Sequence, residues 1–167
     1  MVEKIYFDMD GVLADFERGF RELCGFEPIK QGARDPKKED LMWESARLVG
    51  HFYDKLMPMS GALDMFQKIY EKYGDKCEIL TGIPKPRRGI TTAGEDKISW
   101  VHRYLSKDIV VHIVFREEKK NYAKGKGFIL IDDYEKNIRE WTEYGSTGIL
   151  HISAEATIDE LKKMGIL

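Results

Sequence analysis

Along the chain, short unbroken apolar runs alternate with stretches where apolar residues recur every three or four positions. The first kind reads as buried strand, because β-branched and aromatic residues sit side by side without a polar face. Ile5-Tyr6-Phe7, Cys77 to Leu80, Ile109 to Phe115, Phe128 to Ile131 and Ile149 to Ile152 belong to it. The second kind reads as amphipathic helix. Phe16, Phe20 and Leu23 form one such stripe, ending near Gly25; Leu41, Ser45, Leu48 and Phe52 form another, ending before Pro58. Ala62 to Tyr73 carries Leu63, Phe66, Ile69 and Tyr70 and is closed by Gly74, a C-terminal cap. Ile98, Val101 and Leu105, then Ile138 and Trp141, mark two more helices, and Thr157-x-x-Glu160 is a capping box before the last.

Three stretches lack either pattern. Glu27 to Lys38, Ile83 to Gly94 and Arg116 to Gly127 are rich in Pro, Gly, Lys, Arg and Asp, which is loop chemistry. Strands therefore alternate with helices, and the expected class is α/β with a mainly parallel sheet. The stripes between 16 and 59 have no strand among them, so these residues read as a small helical cap inserted into a core of residues 1–15 and 60–167. The polar stops after Phe7, Leu80 and Ile131 then fall at the carboxyl edge of the sheet, where such folds place their ligands.

Composition narrows the partners more than the fold. The 167 residues suffice for one domain with a sizeable core. With 27 Lys+Arg against 29 Asp+Glu there is no bulk field to attract nucleic acid or an anionic membrane. Cys24 and Cys77 lie far apart without metal-type spacing, which favours reduced thiols. No signal peptide or membrane span is read from the chain, so a cytoplasmic protein is expected.

The candidate chemistry lies at the strand ends. Asp8 and Asp10, followed at once by Gly11, end the first strand, and Asp132-Asp133 end the fourth. So many carboxylates at one rim repel each other and any phosphate unless a divalent cation and a lysine intervene. Magnesium suits such hard oxygen ligands. An aspartate there can attack phosphorus, and a neighbouring carboxyl can protonate the leaving oxygen and then deprotonate water.

As an ordered set, Asp8-Met-Asp10-Gly11-Val12, Thr81, a lysine near 120 and Asp132-Asp133 resemble the four motifs of the haloacid dehalogenase (HAD) superfamily of phosphatases. Within it, Asp8 to Phe16, Lys97-Ile-Ser-Trp100-Val101 and Leu130-Ile-Asp-Asp133 are most similar to the 5′(3′)-deoxyribonucleotidases. The resemblance implies a HAD-like Rossmannoid core with a small helical cap, and a magnesium-dependent phosphomonoesterase acting on nucleoside monophosphates through an aspartyl-phosphate. Carried onto this chain, Asp8 is the nucleophile and Asp10 the acid/base. Thr81 and the Gly82 amide hold phosphate oxygens, and Phe16 lines the nucleoside pocket. The metal falls to Asp8, Asp10 (through its backbone carbonyl) and Asp133, with Asp132 behind them or as an alternative ligand. Lys120 is preferred to Lys119 as the third-motif lysine, and Lys97 is expected to face solvent.

Two departures bear on the substrate. Leu80-Thr81-Gly82-Ile83-Pro84 has Gly-Ile where the nucleotidases carry serine and proline, and their tryptophan-bearing cap pattern has no clean counterpart among Trp43, Phe52 and Tyr53. Other small phosphorylated metabolites, a polynucleotide end, or a non-catalytic phosphate-binding role are the alternatives. Arg87 and Arg88 are read as a solvated loop, and the four histidines show no ligand spacing.

Overall fold

The computed structural model describes residues 1–167. Five strands, β1 (Lys4–Phe7), β2 (Cys77–Gly82), β3 (Val111–Val114), β4 (Phe128–Asp132) and β5 (Thr147–Leu150), form one sheet in the order β3-β2-β1-β4-β5. Every neighbouring pair is parallel. Side chains alternate between two buried faces, as a covered parallel sheet requires. Ile5, Phe7, Ile79, Ile129, Ile131 and Ile149 enter one large apolar cluster, while Tyr6, Leu80 and Leu130 point into a smaller one.

Helices α3 (Ala62–Tyr73), α4 (Ala93–Tyr104) and α6 (Ala154–Lys163) cover the first face through Phe66, Ile69, Trp100, Val101 and Leu161; α5 (Glu135–Glu143) covers the second through Trp141. The strand order reverses between β1 and β4, which opens a crevice at their carboxyl ends. Phe7 pairs with Ile79 on one side and Ile131 on the other, so Asp8 comes out level with Asp132.

The inserted stretch begins with a short helix, α1 (Phe16–Gly19), which runs on as a π-helical turn, Phe20–Cys24. Gly25 stops it in the left-handed conformation. Helix α2 (Pro36–Val49) starts inside the expected loop, because Asp35 accepts a hydrogen bond from the Lys38 amide and Pro36 takes the first helical position. It ends at Gly50 rather than near Pro58, and Phe52–Lys55 is a separate 3-10 turn. Two hydrogen bonds close the neck of the insertion: Asp15 N to Met57 O and Met59 N to Leu13 O, both 2.8 Å. Phe20, Phe52 and Leu56 share the large apolar cluster with Phe7 and Met9, so the insertion and sheet have one continuous core.

The last helix also begins earlier than expected. Ser153 caps it by accepting from the Ala156 amide at 3.1 Å, leaving Thr157 within the helix, 2.7 Å from His151 Nδ1. Both cysteines are free thiols, and no helix is long and apolar enough to cross a membrane.

Candidate active site

After β1 the chain folds over itself in a buried turn. The amides of Val12, Leu13 and Ala14 all donate to the Met9 carbonyl, and Met9, Val12, Leu13 and Ala14 are buried. Gly11 makes this possible. Its φ is +80°, and a Cβ at that position would sit 2.0 Å from Asp133 Oδ2. The two acidic motifs can approach only because residue 11 has no side chain.

The end of β1 then meets a lysine from the connector after β3. Lys119 Nζ donates to Asp8 Oδ1 and to Asp132 Oδ2, both at 2.7 Å, and all three residues are buried. The preference for Lys120 is corrected by this geometry. Residues Arg116–Tyr122, expected to be loop, form a 3-10 helix with three residues per turn, so adjacent side chains point about 120° apart and, of the two lysines, Lys119 is the one that meets Asp8 and Asp132. With two of its three N–H groups engaged, Lys119 keeps one N–H that no protein group takes. Burial alone would push its pKa down, but the Asp132 and Asp8 carboxylates outweigh that and hold it above the usual lysine value.

A second lysine is equally buried. Lys97, expected to face solvent, is 1% exposed and donates to Asp10 Oδ2 at 2.9 Å, Thr81 Oγ1 at 2.8 Å and the Gly82 carbonyl at 2.7 Å. All three N–H groups are therefore spent inside the protein, which makes it a positioning residue rather than a substrate ligand. Since Thr81 accepts from Lys97, its own hydroxyl hydrogen is left to donate elsewhere. The signal for Lys97 was present in the chain: with Ala93, Trp100 and Val101 it occupies the inward stripe of α4.

Asp132 is saturated. Its Oδ1 accepts from the Tyr134 amide at 2.8 Å, and its Oδ2 from Lys119 and from Asn137 Nδ2 at 2.9 Å. Asn137, which sequence reasoning missed, is buried one turn before Trp141 on α5. Asp133 differs: its Oδ1 is buried without any hydrogen-bond partner, and so is Asp10 Oδ1. Asp8, Asp132 and Asp133 each offer an oxygen within 4.8 Å of the others.

Such crowding has an electrostatic cost. Burial first, and the Asp132 carboxylate second, push Asp8 up to about 7, although Lys119 pulls the other way. Burial and then Asp8 push Asp133 up to about 8. A divalent cation would offset both shifts and give the orphaned Asp133 Oδ1 a partner, so these hard oxygen donors fit magnesium.

Between this cluster and the insertion lies a cleft of about 810 Å³, reached by Asp10, Asp133, Phe16, Trp43, Ile29 and Arg116 among others. Phe16 stands at its wall and packs against Phe20 at 4.8 Å and Trp43 at 6.2 Å. Arg88 is taken out of the expected solvated loop by Glu39 and Asp40 of α2, to which it donates at 3.1 and 2.5 Å. Lys120 makes no side-chain hydrogen bond to the acidic cluster; Asp8 meets Asp133 in that cluster, while Asp10, Thr81 and Gly82 are gathered around Lys97.

No family model matches the chain. A protein of Vibrio phage KVP40 named "Putative 5'(3')-deoxyribonucleotidase" is 30% identical over 140 residues, covering 80% of this chain and 67% of the phage protein. The mitochondrial 5′(3′)-deoxyribonucleotidase of Homo sapiens is 27% identical over 150 residues, covering 78% of this chain and 61% of the human one. The chain thus spans about two thirds of the phage relative and somewhat less of the human one. Among solved structures, a HAD-superfamily hydrolase of Ehrlichia chaffeensis superposes with a TM-score of 0.58 at 14% identity, covering 98% of each chain. The L-2-haloacid dehalogenase of Xanthobacter autotrophicus gives 0.56 at 13% identity, over 100% of this chain and 85% of its own. At those identities the likeness is one of fold.

Proposed function

The chain belongs to the HAD superfamily of hydrolases, beside the 5′(3′)-deoxyribonucleotidases, and from that premise we propose that it is a magnesium-dependent phosphomonoesterase acting on nucleoside monophosphates. The observation that carries this reading is the division of labour around Asp8. Lys119 holds its Oδ1 at 2.7 Å, while its Oδ2 takes no protein hydrogen bond and is left as the attacking atom.

In the proposed reaction, Asp8 Oδ2 forms a bond to phosphorus as the bond from phosphorus to the ester oxygen breaks. The leaving oxygen takes a proton from the Asp10 carboxyl, whose Oδ2 is fixed by Lys97 and whose Oδ1 is free. The remaining N–H of Lys119 and the Thr81 hydroxyl bind the charged oxygens of the transferring group. Asp10, now a carboxylate, takes a proton from water as that water attacks phosphorus, and the bond to Asp8 breaks to release phosphate and restore the enzyme. Magnesium, held by Asp8, Asp133 and the Asp10 carbonyl, would supply positive charge that keeps the carboxylates ionised and neutralises the phosphate.

The substrate class rests on the named relatives and on the aromatic wall of Phe16 and Trp43 beside the acidic cluster. A panel of phosphomonoesters assayed with magnesium tests it. Nucleoside monophosphates should rank first, and Asp8→Asn should lower every rate by at least about 10³-fold. Sugar phosphates ranking equal to nucleotides would reject the nucleotidase reading, and undiminished turnover by Asp8→Asn would reject the nucleophile.

A further inference from the structure

The 3-10 turn Phe52–Lys55, which leads the insertion back to the core, places an aromatic ring against the reacting groups. Tyr53 is 2% exposed, and its ring centroid lies 4.5 Å from Lys97 Nζ. That same nitrogen is 2.9 Å from Asp10 Oδ2 and 2.8 Å from Thr81 Oγ1. A single ammonium therefore separates the ring from the acid/base and from the phosphate-facing hydroxyl. On its other sides the ring is surrounded by hydrocarbon: Phe52 edge-on at 5.3 Å and Phe16 stacked at 6.4 Å.

Packing of this kind asks only for phenylalanine, which is what positions 16, 20 and 52 carry. Tyrosine adds a hydroxyl, and no protein group shares a hydrogen bond with it. Tyr73 shows the usual arrangement, its hydroxyl donating to the Ile166 carbonyl at 2.6 Å. The Tyr53 hydroxyl keeps some contact with solvent, unlike the buried Asp10 Oδ1 and Asp133 Oδ1, and so is left open to a ligand beside the reaction centre. Burial, and then the Asp10 and Asp8 carboxylates, hold the Tyr53 hydroxyl well above its ordinary pKa. It thus remains protonated and can act as a donor.

We propose that Tyr53 is a specificity-determining residue whose hydroxyl donates to an oxygen of the leaving group close to the ester bond, selecting sugar-bearing over aryl phosphomonoesters. The proposal rests on the phosphomonoesterase reading above and extends it to the leaving group. Its position decides which part of the substrate is met. Beside Lys97, Asp10 and Thr81 the ring adjoins the point of bond cleavage, and the first atoms beyond the ester oxygen of a nucleotide belong to its sugar. A base would lie farther out, toward Phe16 and Trp43. The ligand chemistry is therefore a hydroxyl or ring oxygen on a furanose, within one hydrogen bond of the tyrosine.

The test compares Tyr53→Phe with the parent protein on three esters: a nucleoside 5′-monophosphate, ribose 5-phosphate and phenyl phosphate, all with magnesium. Loss of one neutral hydrogen bond should lower kcat/KM for the two sugar esters by about 3- to 10-fold more than for phenyl phosphate. The thermal midpoint should not fall, since the variant keeps the ring and loses an unpartnered hydroxyl. An equal loss on all three esters would show that the residue merely seats Lys97, and would overturn the inference, as would no loss on any. If the parent protein instead hydrolyses phenyl phosphate but neither sugar ester, the nucleotidase reading itself fails, and that result is read without the variant.

Discussion

Lys97 Nζ sits 2.9 Å from Asp10 Oδ2 and, through the same ammonium, 2.8 Å from Thr81 Oγ1, so one buried charge orients the proposed acid/base and the proposed phosphate ligand together. Removing it should misplace both. Lys97→Met is expected to lower kcat by about 10²-fold while changing KM much less, because it acts on groups whose contribution grows in the transition state. Steady-state kinetics on a nucleoside monophosphate decide this; a change confined to KM would mean that Lys97 binds substrate directly.

The two neighbouring lysines of the 3-10 helix should behave in opposite ways. Lys119→Met leaves Asp8 and Asp132 buried without their shared cation, an uncompensated charge of the kind that costs about 3–5 kcal/mol. Activity should be lost and the unfolding midpoint should drop. Lys120→Met should keep activity within about twofold and stability within about 0.5 kcal/mol, since the half-buried Lys120 side chain makes no hydrogen bond or ion pair. Denaturant titration and a rate assay on the pair would expose a reversed assignment at once.

Asp8 and Asp133 make the metal-free protein sensitive to base. Their folded values, about 7 and about 8, lie above the ordinary carboxylate value, so the folded state holds protons that the unfolded chain has already released. The stabilising contribution of those protons is full below about pH 4 and is lost as pH rises through 7 to 8. Lys119 stays protonated throughout this window and adds no slope there. In the presence of chelator the thermal midpoint should therefore fall between pH 5 and pH 8. Added magnesium should raise it more at pH 8 than at pH 5, with protons released on binding. A magnesium effect independent of pH would mean that the ion does not meet these carboxylates.

Gly11 is predicted to tolerate no side chain. A methyl group there would overlap Asp133 Oδ2 at 2.0 Å and would also strain a backbone with φ of +80°. Gly11→Ala should lower magnesium affinity and activity by at least about 10-fold each, because second carboxylates of metal sites act through position. Calorimetric titration with magnesium measures the first and a rate assay the second. Gly25→Ala serves as the control for strain alone, since φ there is +61° and nothing lies within 4 Å of the added carbon.

Local pattern was enough for much of the architecture. The five apolar runs, the stripes on α3, α4 and α5, and the acidic stops after Phe7 and Ile131 are properties of neighbouring residues, and periodicity reports those directly. Gly11 and the paired acids likewise announced a turn too crowded for ordinary surface. Caps outside the apolar stripes set the starts of two helices: Asp35 before α2 and Ser153 before α6 begin them earlier than the stripes suggest.

What only the tertiary structure decided is which charges are shared. Lys119 and Lys120 are adjacent and chemically identical, and the choice between them depends on the phase of a short 3-10 helix relative to β1 and β4, 111 and 13 residues away. Lys97 reads as a surface lysine until Thr81, Gly82 and Asp10 are brought around it. Asp132 and Asp133 are chemically identical neighbours, yet one is saturated by Tyr134, Asn137 and Lys119 while the other keeps an empty oxygen. A charged group is stable inside a protein only through partners placed by other segments of the chain, and no window of sequence contains those partners.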